Sequence, residues 1–380
     1  MALFTNVKLR IVLVLVLMLV AVHYLLLPMV TDQAARKPSQ RQATEFTTDG
    51  DASYSYANFD PLHPPPYTEE RAKAGFVILT RNSDLHDLRA TLRQLEDRFN
   101  RRYNYPYVFL NNEPFTEEFK KLTTSLVSGN TSYGLIPHEH WSYPSWIDTN
   151  KAAETRVRMK DIIYGDSESY RFMCRYESGF FFRHPLLDQF DYYWRVEPSV
   201  EFSCDIRYDP FLLMQKRGLK YGFTISLLEF EETVPTLWKT TRDFMKEHPE
   251  LVAQSNTLAW VTDDNGERYN MCHFWSNFEI ASVKWLRSEQ YMTYFDYLDK
   301  AGGFFYERWG DAPVHSLAVA MFLKKEEVHW FEDIGYYHGP FYNCPNAKAL
   351  SPYCHCNPAD SVHLTGHSCT RQWLVLPDSA

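Results

Sequence analysis

From Ala74 onward the chain alternates short apolar runs with stretches whose apolar residues recur at helical spacing. Residues 75–81 (GFVILTR) read as a strand buried on both faces. Leu85, Leu88, Leu92 and Leu95 then mark a helix whose pattern fades by Tyr103. Residues 105–112 predict the next strand and residues 115–126 an amphipathic segment. Further strands are expected at 192–196, 221–228, 304–307 and 328–331, and further helices at 237–246, 278–300 and 312–323. No internal repeat or coiled-coil heptad is present. The alternation predicts an α/β fold, a sheet with helices on both faces. In such sheets ligands occupy the crevice beyond the carboxyl ends of the strands. The residues that follow each strand are therefore the first place to look for chemistry.

The segment before that body has a different character. Residues 11–30 (IVLVLVLMLVAVHYLLLPMV) contain no Asp, Glu, Lys or Arg. As a helix they span about 30 Å, the thickness of a bilayer's hydrocarbon core. A signal peptide has a shorter apolar region and a small-residue cleavage site, so an uncleaved transmembrane signal-anchor is the better reading. Lys8 and Arg10 precede it on a short tail (1–10), read as cytoplasmic, while Arg36, Lys37 and Arg41 follow it and weaken the charge bias. Residues 31–66 are polar, close on Pro64-Pro65-Pro66 and read as a lumenal stem. That leaves 67–380 as the lumenal domain. Asp49-Gly50-Asp51 has the spacing of a metal-binding acidic pair but falls in the stem, where it is read as chance.

Charge then narrows the partners. The net charge is −9, and residues 1–66 hold five basic and five acidic side chains, so the body carries the whole excess. No Lys/Arg run offers a face for counterion release, which argues against nucleic acid. Aromatic residues make up 16% of the chain, which suits a large core and also ring stacking on sugars. Four of the seven cysteines, Cys344, Cys354, Cys356 and Cys369, lie in the last forty residues, as in tails that disulfides staple in an oxidising compartment. Zinc is the alternative there, because His363 and His367 are interleaved, although Cys-x-Cys is not the usual structural pair. Asn130-Thr131-Ser132 is a glycosylation sequon.

No Walker loop, Gly-x-Gly-x-x-Gly, Gly-x-Ser-x-Gly or His-Glu-x-x-His occurs. Trp194-Arg195-Val196-Glu197-Pro198 instead ends a strand with a cation and a carboxylate two residues apart, on one face. It can be a structural ion pair or equipment for a diphosphate and its metal. His273, Asn277 and Glu279 sit among aromatics, where unpaired polar groups would be costly. A buried hydrogen-bond network and an acid–base site both fit. Asp311 reads as the N-cap of the helix that Pro313 opens. His338 follows the last strand, and His138-Glu139-His140 reads as a loop.

The longer stretches are similar to the fungal α-1,2-mannosyltransferases of glycosyltransferase family 15. They are RNSDL from Arg81, LEDRFNRRYNYPYVFLN from Leu95, HWSYPSWID from His140, SYRFMCRYESGFFFRHPLL from Ser169, YYWRVEPSVEFSCDI from Tyr192, YNMCHFWSNFEIA from Tyr269 and ERWGDAPVHS from Glu307. The resemblance implies a GT-A-like nucleotide-sugar fold in a type II Golgi membrane protein. It implies transfer of mannose from GDP-mannose, with retention, to the 2-hydroxyl of a mannose acceptor on O- or N-linked glycans, with Mn²⁺ as cofactor.

By position, the resemblance puts the metal ligands at Glu197 and His338 and the carboxylate discussed as nucleophile at Glu279. It puts a donor-site tyrosine at Tyr170 and phosphate contacts at Arg81 and Arg195. Asp311, His273 and Asn277 fall in the pocket without an assigned role. The rival expectations are a same-fold transferase with another donor, a non-catalytic mannose-binding protein, and a zinc hydrolase built on the tail.

Overall fold

The computed structural model describes residues 56–378. The anchor expected at 11–30, most of the stem and Asp49-Gly50-Asp51 lie outside the described residues. Among the described residues no helix is long and apolar enough to cross a membrane. Contacts with the folded body begin upstream of Tyr67: the Tyr56 hydroxyl accepts from the Asp209 amide at 3.2 Å, and Phe59 packs on Tyr208.

A seven-stranded sheet runs through the centre. Its strands are β1 (Ala74–Leu79), β2 (Tyr107–Asn111), β3 (Thr131–Leu135), β4 (Tyr192–Arg195), β5 (Tyr221–Phe223), β6 (Glu279–Ser282) and β7 (Val328–Trp330). Their spatial order is β7-β5-β6-β4-β1-β2-β3. Only β6 runs against its neighbours, β4 and β5; the other pairs are parallel. Side chains alternate between two buried clusters: Val77, Tyr193 and Ala281 face one, and Phe76, Ile78, Trp194 and Ile280 the other. Cover on both faces is why these strands read as continuous apolar runs.

Helix α1 (Leu85–Leu95) covers the second face with Leu88 and Leu92. The first is covered by α2 (Glu168–Gly179), α3 (Glu289–Ala301) and α4 (Asp311–Phe322). Every residue of α4 is buried, the polar Asp311, His315 and Ser316 included.

Three expectations fail. Residues 221–228 are not one strand: Tyr221–Phe223 form β5, and Ser226–Leu228 pair in a separate two-stranded sheet. Residues 304–307 are not a strand: Phe304 to Tyr306 belong to the helical turn Gly303–Tyr306, and Glu307 ends it. It begins after Gly302 at φ 77°, and a Cβ on Gly303 would lie 2.0 Å from the Trp309 ring. Residues 278–300 are not one helix. Glu279–Ser282 form β6, and Ser282 and Ser288 then cap separate helices by accepting from the Trp285 and Tyr291 amides. Phe278-Glu279-Ile280-Ala281 fits either period, and the serine caps, not the apolar spacing, decide the breaks.

Three disulfides tie the tail: Cys204–Cys354, Cys272–Cys369 and Cys344–Cys356. The thiols that a tail zinc site would need are therefore already paired. Cys174, buried within α2, is the free cysteine.

At the sheet edge the His329 ring packs edge-on against Phe331, its Nε2 is buried without a partner, and burial pushes its pKa down to about 3. Below pH 6.5 the unfolded chain takes up a proton at this site that the folded chain refuses, so stability falls as pH falls. Denaturant unfolding of His329→Phe at pH 7 and pH 5 should show the variant gaining on the native chain by about 1–2 kcal/mol at the lower pH.

Candidate active site

Strands β1, β2 and β4 end on one rim, which carries Arg81, Asn111, Arg195 and Glu197 just at or beyond the strand ends. Because β6 is antiparallel, its first residue, Glu279, reaches the same rim, in register with Arg195. The rim lines a cavity of about 180 Å³ that includes Arg81, Asn111, Trp141, Arg195 and Glu197. A second cavity of about 480 Å³ shares Arg81, Asn111 and Asn112 and adds Asn82 and Ser169. Arg81 is exposed, with Nη2 donating to Ser169 Oγ at 2.7 Å. It remains free to meet an anion in either cavity.

His338 ends the strand Tyr336–His338, which pairs with Glu201–Phe202 and Phe341–Asn343. Its Nε2 lies 3.4 Å from Glu197 Oε2, and its buried Nδ1 has no hydrogen-bond partner. Two ligands bonded to one cation at about 2.1 Å stand roughly 3 Å apart, so the pair has the spacing of a shared ion. A hard oxygen and an imidazole suit Mn²⁺. Among the described residues no cluster of three Asp, Glu, His or Cys side chains forms a metal cage. A cation held by this pair would take its remaining ligands from phosphate oxygens and water. Asn277 serves this pair from behind, because its Oδ1 accepts from the Tyr336 hydroxyl at 3.0 Å and so anchors the strand that carries His338.

Arg195, expected at phosphates, is instead buried and committed to carboxylates. Nη1 donates to Asp311 Oδ2 and Nη2 to Glu197 Oε1, each at 2.6 Å, and Glu177 Oε2 lies 3.7 Å from Nη1. Asp311, expected as an N-cap, is the first residue of α4 behind Gly310, and its Oδ2 accepts a second bond from Ser276 Oγ at 2.6 Å. Burial alone would raise the carboxyl pKa of both Asp311 and Glu197, but Arg195, joined by His315 and Ser276 at Asp311 and by His338 at Glu197, outweighs it and holds both below the ordinary range. Glu177 is farther from that cation, and burial pushes its pKa up to about 8.

Glu279 is fully buried. One carboxylate oxygen accepts from the Tyr193 hydroxyl, and the other meets the Tyr221 hydroxyl at 3.0 Å and His315 Nδ1 at 2.9 Å. His315 Nε2 lies 3.1 Å from the Glu177 carbonyl oxygen. Burial alone would lower the His315 pKa, but the Glu279 carboxylate more than compensates and raises it.

Tyr170 stacks on the exposed ring of Tyr164 and lies under the Arg308 guanidinium. His273 is buried on Cys272–Phe274 with its pKa pushed down by burial, and contributes no side-chain bond to the rim network. Asn130 is exposed, just ahead of β3, as a glycan acceptor must be. His138–His140 form a helical turn in which His140 stacks on Phe180.

Sequence reasoning missed Glu177, Ser276, Tyr193, Tyr221 and the function of His315. The spacing of Tyr170, Cys174 and Glu177 (i, i+4, i+7) could have placed Glu177 on the face of α2 that looks at the site.

This architecture is similar to that of Core-mannan synthase A (CmsA/Ktr4) from Aspergillus fumigatus, solved in a Mn/GDP form. The two share 42% identity and a TM-score of 0.77 over 87% of this chain and 92% of that one. Ktr4p of Saccharomyces cerevisiae, solved with GDP, also matches at a TM-score of 0.77 and 42% identity over 80% of this chain and 82% of that one. Fold and site together define a glycosyltransferase.

Residues 29–377 match the family described as Glycolipid 2-alpha-mannosyltransferase, and the chain belongs to it. Glycolipid 2-alpha-mannosyltransferase 2 of Candida albicans is 56% identical across 83% of this chain and 68% of its own length. Alpha-1,2 mannosyltransferase KTR1 of S. cerevisiae is 54% identical across 88% of this chain and 85% of its own.

Proposed function

We propose that this chain is a retaining α-1,2-mannosyltransferase that moves mannose from GDP-mannose to the 2-hydroxyl of a terminal mannose on O- or N-linked glycoprotein glycans. The observation that carries the reading is the Glu197–His338 pair, with Glu197 on the wall of the Arg81 cavity at the carboxyl rim, in a chain 42% identical to a synthase solved with Mn and GDP.

In this reading Glu197 Oε2 and His338 Nε2 hold Mn²⁺, which neutralises charge gathering on the departing diphosphate. Arg81 adds a second positive group on the cavity wall and Tyr170 borders the donor sugar. Glu279 acts on the developing positive charge of the sugar through its field, since both its oxygens already hold hydrogen bonds in a fully buried site. The acceptor hydroxyl then attacks from the face that the diphosphate leaves. The three disulfides support a lumenal, oxidising location. We place the enzyme in the Golgi membrane, held by residues 11–30 as a single-pass type II anchor.

The test is transfer to methyl α-mannoside by the full chain in detergent, supplied with GDP-mannose and either Mn²⁺ or EDTA. An α-1,2-linked disaccharide should form with Mn²⁺ and fall below detection with EDTA. Equal transfer in both would overturn the metal assignment, and no transfer by folded protein would overturn the activity.

A further inference from the structure

The rim network contains a competition. Arg195 is a single buried cation approached by carboxylates from three directions: Asp311 at the start of α4, Glu197 beyond β4, and Glu177 on α2. Two of the three are within hydrogen-bond distance, while Glu177 stands off at 3.7 Å from the same Nη1 that bonds Asp311. Ser276, on the loop between Cys272–Phe274 and β6, donates to that same Asp311 oxygen. Asp311 is buried, and the oxygen it presents to Arg195 also accepts from Ser276.

A guanidinium is a planar fork with fixed angles between its N–H groups, so anchoring one nitrogen sets the direction of the other. With Nη1 tied to Asp311, Nη2 meets Glu197 Oε1 at 2.6 Å. Glu197 Oε2 is then left facing His338.

We propose that Asp311 is a positioning residue that acts through Arg195. By fixing the guanidinium, it commits one oxygen of Glu197 and turns the other toward His338 and the cation they share. Without Asp311, Nη1 is drawn to Glu177, Nη2 leaves Glu197, and the metal-binding oxygen loses its direction. This rests on the reading of Glu197 and His338 as metal ligands, and the experiment separates the two.

Mn²⁺ affinity would be measured in the presence of GDP, with no sugar donor, from the free-ion signal in electron paramagnetic resonance of the full chain in detergent. Glu197→Gln tests the ligand reading, and unchanged affinity there overturns that reading and with it the proposal. If Glu197→Gln does weaken binding, Asp311→Ala, which removes the oxygen that anchors Nη1, should also weaken it, by about tenfold or more, the scale for partners that orient a metal ligand. Raised Mn²⁺ should then recover transfer, which a sugar-contacting role for Asp311 would not allow. Mn²⁺ affinity within twofold of native, with transfer lost, overturns the proposal alone. Ser276→Ala leaves the start of α4 intact and loosens Asp311 from its other side. It should weaken Mn²⁺ by a smaller factor, about threefold, and no change there in folded protein also overturns the proposal.

Discussion

Glu197→Gln should lower kcat/KM for mannose transfer by about a thousandfold, the scale of losing one well-placed electrostatic group. The amide oxygen of Gln can still accept from Arg195 Nη2, so the buried cation keeps that contact and the fold survives. What goes is the charge on the oxygen that faces His338 at 3.4 Å. The loss should appear mainly as weaker binding of Mn²⁺, with half-saturation moved to higher concentration. His338→Ala should move it the same way but by less, since imidazole is a neutral ligand and the carboxylate carries the attraction for a divalent ion. Initial rates titrated with Mn²⁺ for the three proteins check this ordering. If Glu197→Gln retained native rates at native Mn²⁺ demand, the metal would have to lie elsewhere.

Much of this site was legible because strand ends are legible. The apolar run 192–196 stops at Pro198, and that alone put Arg195 and Glu197 on the carboxyl rim; His338 followed by the same rule. The partners of Arg195 were not legible. Asp311 and Glu177 approach it from helices 116 and 18 residues away along the chain, and nothing local distinguishes a capping Asp from one reaching across to a buried Arg. Phosphate contact was therefore assigned to a guanidinium already occupied by carboxylates.

Misreading β6 as helix had a larger consequence. Ile280 and Ala281 are buried on opposite faces of the sheet, a pattern that periodicity cannot separate from a buried helix turn. Only the antiparallel pairing with β4 brings Glu279 to the rim beside Arg195, and only the pairings with β4 and β5 show its neighbours to be Tyr193 and Tyr221.

Those neighbours shape the expected behaviour of Glu279→Gln. The carboxylate and the His315 imidazole are both fully inaccessible and 2.9 Å apart. Removing one member of a buried charged pair costs about 3–5 kcal/mol, because its partner is left uncompensated. The cost should depend on pH with a definite sign. His315 has its pKa raised in the folded protein by Glu279, against the opposing pull of burial. The stability this contributes is fully present below pH 6.5 and is lost as pH rises through the folded value. The variant should therefore lag the native chain most under mildly acidic conditions and approach it at higher pH, as followed by denaturant unfolding.

Transfer should fall by about a hundredfold to a thousandfold even where the variant is folded, because the field that stabilises positive charge on the sugar is gone. A nucleophile would lose activity too, so the rate alone does not separate the roles. The discriminating measurement is mass spectrometry of native enzyme acid-quenched during turnover with GDP-mannose. No mannosyl adduct is expected on the peptide that carries Glu279. Attack on an anomeric carbon would require an oxygen to leave the hydrogen bonds from Tyr193, or from Tyr221 and His315, and turn out of a fully buried site. An adduct on that peptide would mean that this rearrangement does occur, and would move Glu279 from electrostatic stabiliser to covalent catalyst.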